Sequence, residues 1–234
     1  MKPSQIQSAW QGNPKCEECA IRGLALFSEL QAEDFAHIHE PVDEISLAPG
    51  TVLYQAGDSA HYLYTVRCGM LKLTQFLPGG TQRIVRLLHR GDVAGLEAIL
   101  ESHYPHTAQA VAPTELCRIP IAVIRRLNEN TPRIHGQLLQ RWQKALREAD
   151  AWLTELSTGT ARARVARLLL RQAEHEPPAG FTLLGREDMG AVLGITTETA
   201  SRTIAEFKRT GLLIDQGEGR VRVNAEGLAR EAAD

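Results

Sequence analysis

Between positions 197 and 208 the chain sets out hydroxyls, a carboxylate, a guanidinium and an ammonium at helical spacing: Thr197, Glu198, Ser201, Arg202 and Lys208. On one helix face such groups match the edges of base pairs. A carboxylate accepts from cytosine N4, an arginine pairs with guanine O6 and N7, and a hydroxyl takes either a base or a phosphate. A second chemical signal stands near the N-terminus, Cys16-Glu17-Glu18-Cys19. Two thiolates separated by two residues can grip one metal ion or the corner of an iron–sulfur cluster, because a tight loop brings both sulfurs to the same side. The same pair also reads as two surface thiols on a polar arm. The histidines point nowhere in particular: His61, His89, His103 and His106 show no His-x-His spacing of a metal-holding barrel enzyme, and no Cys-x-x-Cys-His for haem attachment is present.

The polar row needs a helix to carry it and a scaffold to present that helix. Glu187 and Asp188 suit the first turn of a helix over 186–193, which Gly194 stops. Ile195 then plugs a turn, Thr196 caps, and a second helix from Thr197 buries Ala200, Ile204 and Phe207. Periodicity alone would allow a solvated amphipathic helix. After Gly211, however, two apolar or β-branched segments face each other across Gly217 and Gly219, the signal of a hairpin that would form a wing beside the second helix. A winged helix-turn-helix is the expected C-terminal architecture.

Residues from about 45 to 120 alternate short β-type runs with turn signals, which predicts an antiparallel barrel or jelly roll. Past Pro132, Leu138, Trp142, Ala145, Ala149, Trp152 and Leu156 are spaced four, three, four, three and four, an a/d heptad seam expected to pair with a second copy of the chain. A neighbouring stripe, Leu139, Leu146 and Leu153, is expected to pack on the barrel. Thr158-Gly159-Thr160 forms a hinge into the next helix.

The 234 residues, 43% of them apolar, suffice for two modest domains. A net charge of −2 excludes a nonspecific coat on nucleic acid, and positions 160–234 hold eleven Arg plus Lys against eleven Asp plus Glu, so any DNA binding must come from local placement. No apolar run approaches a membrane span and the N-terminus has no apolar export region, so a cytoplasmic protein without membrane partners is expected. In that reducing compartment Cys16, Cys19, Cys68 and Cys117 read as thiols or ligands rather than disulfides. Cys68, in Arg67-Cys68-Gly69-Met70, reads as a half-buried barrel residue.

The segment Leu193-Gly194-Ile195-Thr196-Thr197-Glu198-Thr199-Ala200-Ser201-Arg202 resembles the DNA-reading segment of the CRP/FNR transcription regulators. Its Glu-x-x-Ser-Arg at Glu198, Ser201 and Arg202 is similar to the FNR branch. That resemblance, which extends from Cys16 to about Val223, implies a cyclic-nucleotide-binding-type barrel as sensor, a homodimer on double-stranded DNA, and half-sites of the type TTGAT in an inverted repeat. It also implies contact with RNA polymerase, for which the turn at Pro78, Gly79 and Gly80 is the comparable loop, though an ordinary hairpin turn fits that sequence as well. Nucleotide-binding members carry a phosphate-holding arginine in the region matching Gly95–Ala110, whereas here no arginine lies between Arg90 and Arg118, which argues against a cyclic nucleotide.

Cys16, Cys19 and Cys117 match ligand positions of the FNR-type iron–sulfur cluster. The position of the third N-terminal ligand, six residues after Cys19, holds Ala25. Two accounts follow. In one, a 4Fe-4S cluster rests on Cys16, Cys19, Cys117 and a replacement such as Cys68, giving an activator that senses oxygen, redox state or nitric oxide. In the other, the cluster is absent and another small effector acts. The expected fold is α+β: an arm over 1–27, a β-barrel of jelly-roll type over 28–130, a dimerisation helix over 131–158 and a winged helix-turn-helix over 159–234. No catalytic residues are expected; a non-catalytic ligand-binding barrel is the remaining alternative.

Overall fold

The structure is a computed structural model that describes residues 26–28, 34, 42–175 and 180–233. Residues from 1 to 75 and 86 to 146 form one compact unit; 76–85 and 147–234 form the other.

Residues 43–120 form strands whose alternation puts one face inward. β1 (Asp43–Leu47), β2 (Val52–Tyr54), β3 (Tyr62–Cys68), β4 (Leu71–Phe76), β5 (Gln82–Leu88), β6 (Val93–Ala94), β7 (Thr107–Ala110) and β8 (Thr114–Pro120) make two four-stranded sheets, ordered β1-β8-β3-β6 and β2-β7-β4-β5. The non-consecutive neighbours are those of a jelly roll, and the sheets remain separate rather than closing into a barrel. In the first sheet Ile45, Leu116 and Val66 stand side by side in register, Leu116 and Val66 fully buried. The rings of Tyr54 on β2 and Tyr64 on β3 lie 5.9 Å apart, joining the two sheets through one interior. The turn from β3 to β4 needs glycine: Gly69 has φ of 82°, and a Cβ there would fall 2.3 Å from the Pro113 carbonyl oxygen.

Two helices follow, α1 (Ile121–Asn130) and the long α2 (Pro132–Ala151). α2 opens with proline, whose missing N–H costs nothing in a first turn. Its buried residues are Ile134, Gln137 and Leu138. Its last turn widens to a π-turn over Trp152–Leu156, where the Ser157 hydroxyl reaches back to the Trp152 carbonyl at 3.2 Å.

The two apolar stripes of this helix fall differently from the sequence expectation. Leu138 and Leu156 are buried within their own chain, at 7% and 1% exposure, while Ala145 and Trp152 are half-buried and Ala149 is exposed. Leu139, Leu146 and Leu153, expected against the barrel, are instead 68%, 63% and 68% exposed, with Trp142 beside them at 37%. The open seam is therefore Leu139, Trp142, Leu146, Ala149 and Leu153, spaced three, four, three and four. The physical reason is that the buried face of α2 is set by Ile134 and Leu138, and a stripe one residue further on is rotated by about 100° away from it.

In the second unit α3 (Ala161–His175), β9 (Phe181–Thr182), α4 (Arg186–Leu193), α5 (Thr197–Arg209), the hairpin β10 (Leu213–Gly217) and β11 (Arg220–Val223), and α6 (Ala225–Ala232) make the expected winged helix-turn-helix, with a sheet ordered β10-β11-β9. α3 buries Val165, Ala166, Leu168 and Leu169 against the others and turns its arginines to helix ends. The Arg164 guanidinium donates to the Leu193 carbonyl at 2.6 Å, and Arg167 to those of Glu155, Thr158 and Ala232 at 2.9, 2.9 and 2.7 Å. Those carbonyls are the orphan acceptors that helix C-termini leave, and cations suit them. Among the described residues no helix is long and apolar enough to cross a membrane.

Candidate nucleic-acid interface

α4 ends as its sequence dictates. Gly194 adopts φ of 64° and its N–H returns to the Gly190 carbonyl at 2.8 Å. Gly190 lets the turn close, because a Cβ on it would lie 2.7 Å from the Ile195 carbonyl oxygen. Thr196 then caps α5: its hydroxyl accepts from the Thr199 N–H at 3.1 Å. Ala200, Thr203, Ile204 and Phe207 bury the inner face.

The outer face presents Thr197, Glu198, Ser201 and Arg202, all exposed. Glu198 and Arg202, one turn apart, approach only to 3.7 Å with side chains 76% and 72% exposed, a loose pair that either member can leave for a base edge. Lys208, also exposed, lies further along the same helix. Its ammonium bonds the Asp215 carboxylate on β10, an exposed pair that links the wing strand to the helix. That bond, with a further one from the Gly217 N–H, holds the Asp215 carboxyl below its ordinary pKa. On the wing Arg222 is exposed, while Arg220 donates to the Gly180 carbonyl.

Sequence reasoning missed the polar cluster inside the jelly roll. Arg86 of β5 bonds Glu97, in the 3-10 turn over Leu96–Ile99, with side chains only 18% and 11% exposed. His106 Nδ1 lies 3.9 Å from the same Glu97 oxygen. Burial lowers the His106 pKa first, with Arg86 adding to the shift and Glu97 opposing it. Tyr54 stacks on Tyr104 with ring centres 3.8 Å apart, and burial raises the Tyr54 pKa. The Tyr104 hydroxyl donates to the Tyr62 carbonyl at 2.7 Å. An arginine does reach this turn, from β5 rather than from 90–118, and a carboxylate of the chain itself already holds it.

Of the cysteines, Cys16 and Cys19 lie outside the described residues. Cys117 is half-buried on β8, opposite Glu44 on one side and Thr65 on the other. Cys68, expected half-buried, is exposed at the end of β3 opposite Glu115, past an irregularity in the ladder between Val66 and Cys68. Neither is in a disulfide. Among the described residues no group of three or more His, Cys, Asp or Glu gathers as a metal would require.

Known proteins resemble the chain in both units. It matches the cyclic nucleotide-binding domain family over residues 44–131 and the Crp-like helix-turn-helix domain family over residues 163–231. The transcriptional activator protein FnrA of Stutzerimonas stutzeri is 28% identical over 214 residues, covering 88% of each chain. The fumarate and nitrate reduction regulatory protein of Escherichia coli is 26% identical over 224 residues, 93% of this chain and 90% of that one. Among solved structures, FixK2 from Bradyrhizobium japonicum superposes with a TM-score of 0.75 at 26% identity, covering 83% of this chain and 99% of the other.

Proposed function

The chain belongs to the CRP/FNR family of DNA-binding transcription regulators, and on that premise we propose that two copies, paired through α2, read an inverted repeat of TTGAT-type half-sites with Glu198, Ser201 and Arg202. The observation that carries this is the exposed row on α5, held by a capped N-terminus, a glycine-closed turn and a wing strand tied down by Lys208. Thr197 at the N-terminal turn suits a phosphate or a base. The relatives are regulators rather than enzymes, and no residue here is assigned a catalytic role.

Dimerisation brings two such helices to successive major grooves about 34 Å apart. The stripe Leu139, Trp142, Leu146, Ala149 and Leu153 is the face for the second copy, since its a/d spacing is that of a two-helix seam and it is left open within the chain. RNA polymerase is the proposed partner on the promoter and the cytoplasm the proposed compartment. Substituting Glu198→Ala or Arg202→Ala is expected to cost about 1–3 kcal/mol per half-site and to relax the base preference at the contacted position. Gel shifts against single-base variants of the half-site measure this; an unchanged preference in both variants removes those residues from base reading.

The proposed signal is oxygen, redox state or nitric oxide, acting at a 4Fe-4S cluster. Cys117 supports it, since a half-buried thiol on a sheet that faces Glu44 and Thr65 is a candidate thiolate donor. Cys16 and Cys19 would hold the same group, with Cys68 the proposed fourth ligand. Such a cluster would supply oxidation-sensitive Fe–S bonds; the chain's own residues would supply the sulfurs and the helix they restrain. Ala25 in the third ligand position and the exposure of Cys68 favour a second account, a regulator of the same type without a cluster. Anaerobic purification followed by absorbance, iron and sulfide measurement separates them: a colourless, iron-free chain that binds DNA discards the cluster.

A further inference from the structure

The second unit contains an arginine that binds two carboxylates at once. Arg162 of α3 places Nη1 2.7 Å from Glu206 Oε2 on α5, donates from Nη2 to Glu231 Oε1 on α6 at 2.9 Å and from Nε to the other Glu231 oxygen, and lies with its guanidinium carbon 4.8 Å from the centre of the Phe207 ring. Glu198, Arg202 and Glu206 succeed one another four residues apart, so Arg202 has a carboxylate one turn before it and another one turn after. The first holds it loosely. The second is paired with Arg162, although the Glu206 side chain is still 46% exposed.

We propose that Arg162 is a positioning residue for DNA reading, because it masks Glu206 and so keeps that carboxylate from capturing Arg202 and from facing the DNA phosphates. This rests on α5 being the reading helix. An unmasked Glu206 acts against binding twice. It offers Arg202 an intrahelical partner at the moment that residue is needed by a guanine, and it adds a negative charge beside a polyanion. Glu231 has a different part: its bidentate bond anchors the guanidinium from α6 while leaving a second N–H group for Glu206.

The test uses the full chain and a pool of random-sequence duplexes, from which wild type selects its preferred site; affinities are then measured for that duplex and a scrambled one. Arg162→Ala is expected to weaken binding roughly fivefold, the order of effect of one uncompensated carboxylate within a Debye length of the phosphates. Adding Glu206→Gln to Arg162→Ala should restore wild-type affinity. Glu231→Gln, which removes the charge and one acceptor from the bidentate pair but leaves Glu206 paired, should leave DNA affinity unchanged. A purely structural bond predicts the opposite, with Glu231→Gln as harmful as Arg162→Ala and no rescue in the double variant; that result overturns the proposal. Should Arg162→Ala not fold, Glu206→Gln alone decides: affinity equal to or above wild type supports masking, and a loss overturns it. Arg202→Ala run alongside keeps the two ideas apart. If it retains the wild-type site preference, base reading by Arg202 falls and masking with it; if it loses preference while the double variant is not rescued, masking alone falls.

Discussion

His106 shares Glu97 with Arg86 inside the jelly roll, where burial lowers its pKa below the ordinary 6.5. The groups facing it are Glu97 and Glu101, which favour the charged ring, and Arg86, which disfavours it. In the interval between the lowered folded pKa and the unfolded value, the unfolded chain binds more protons, so this histidine makes stability fall as pH falls through about 6.5 and downward. His106→Asn should therefore flatten the decline of the melting temperature between about pH 7 and pH 5, measured by circular dichroism. An identical decline in both proteins would show that protonation of His106 is not penalised in the fold. This cluster was illegible in the sequence for a simple reason: Arg86 sits on a strand of one sheet and Glu97 on a turn that follows a strand of the other, and only the packing of the two sheets brings them together. Glu198, Ser201 and Arg202 were legible because helical spacing alone places them on one face. Lys208 shares that face in the periodicity, and only the position of the wing reveals that Asp215 holds it.

At the scale of elements, the turn between α4 and α5 rests on a close approach that helix propensity opposes. Gly190 lies inside α4, where alanine would ordinarily be better by about 1 kcal/mol. A Cβ 2.7 Å from the Ile195 carbonyl oxygen meets backbone, which cannot swing aside. Overlap decides, and Gly190→Ala should destabilise the chain by about 1–3 kcal/mol in urea unfolding. Gly136 of α2 is the internal control, with nothing within 4 Å of its Cβ position, so Gly136→Ala should stabilise by about 0.5–1 kcal/mol. Equal effects at the two sites would show that the turn does not need glycine. The helix-turn-helix was readable to the residue because Gly194, Thr196 and the apolar triplet all say the same thing. The long helix was harder. It carries two seven-residue stripes one position apart, and periodicity names both without saying which one its own chain covers. Ile134 and Leu138 at its buried end settle that, and they do so through tertiary packing.

For the whole molecule, a net charge of −2 and balanced charge over positions 160–234 mean that the affinity for DNA must come from placement on α5 and the wing, doubled in the proposed pair. In that proposed pair, the seam is where function is most exposed to a single change. Leu146→Lys, at a 63% exposed position, should leave the fold of each chain intact by circular dichroism while halving the mass seen in sedimentation. Leu138→Ala, at 7% exposure, should instead cost about 2–5 kcal/mol of stability. A wild-type chain that sediments as a monomer would refute pairing through α2. The same stripe has an optical consequence. Trp142, one of three tryptophans, sits within it, one turn before Leu146. When hydrocarbon replaces water around an indole its fluorescence moves to shorter wavelength, so the proposed pairing comes with a built-in gauge that needs no dye and no tag.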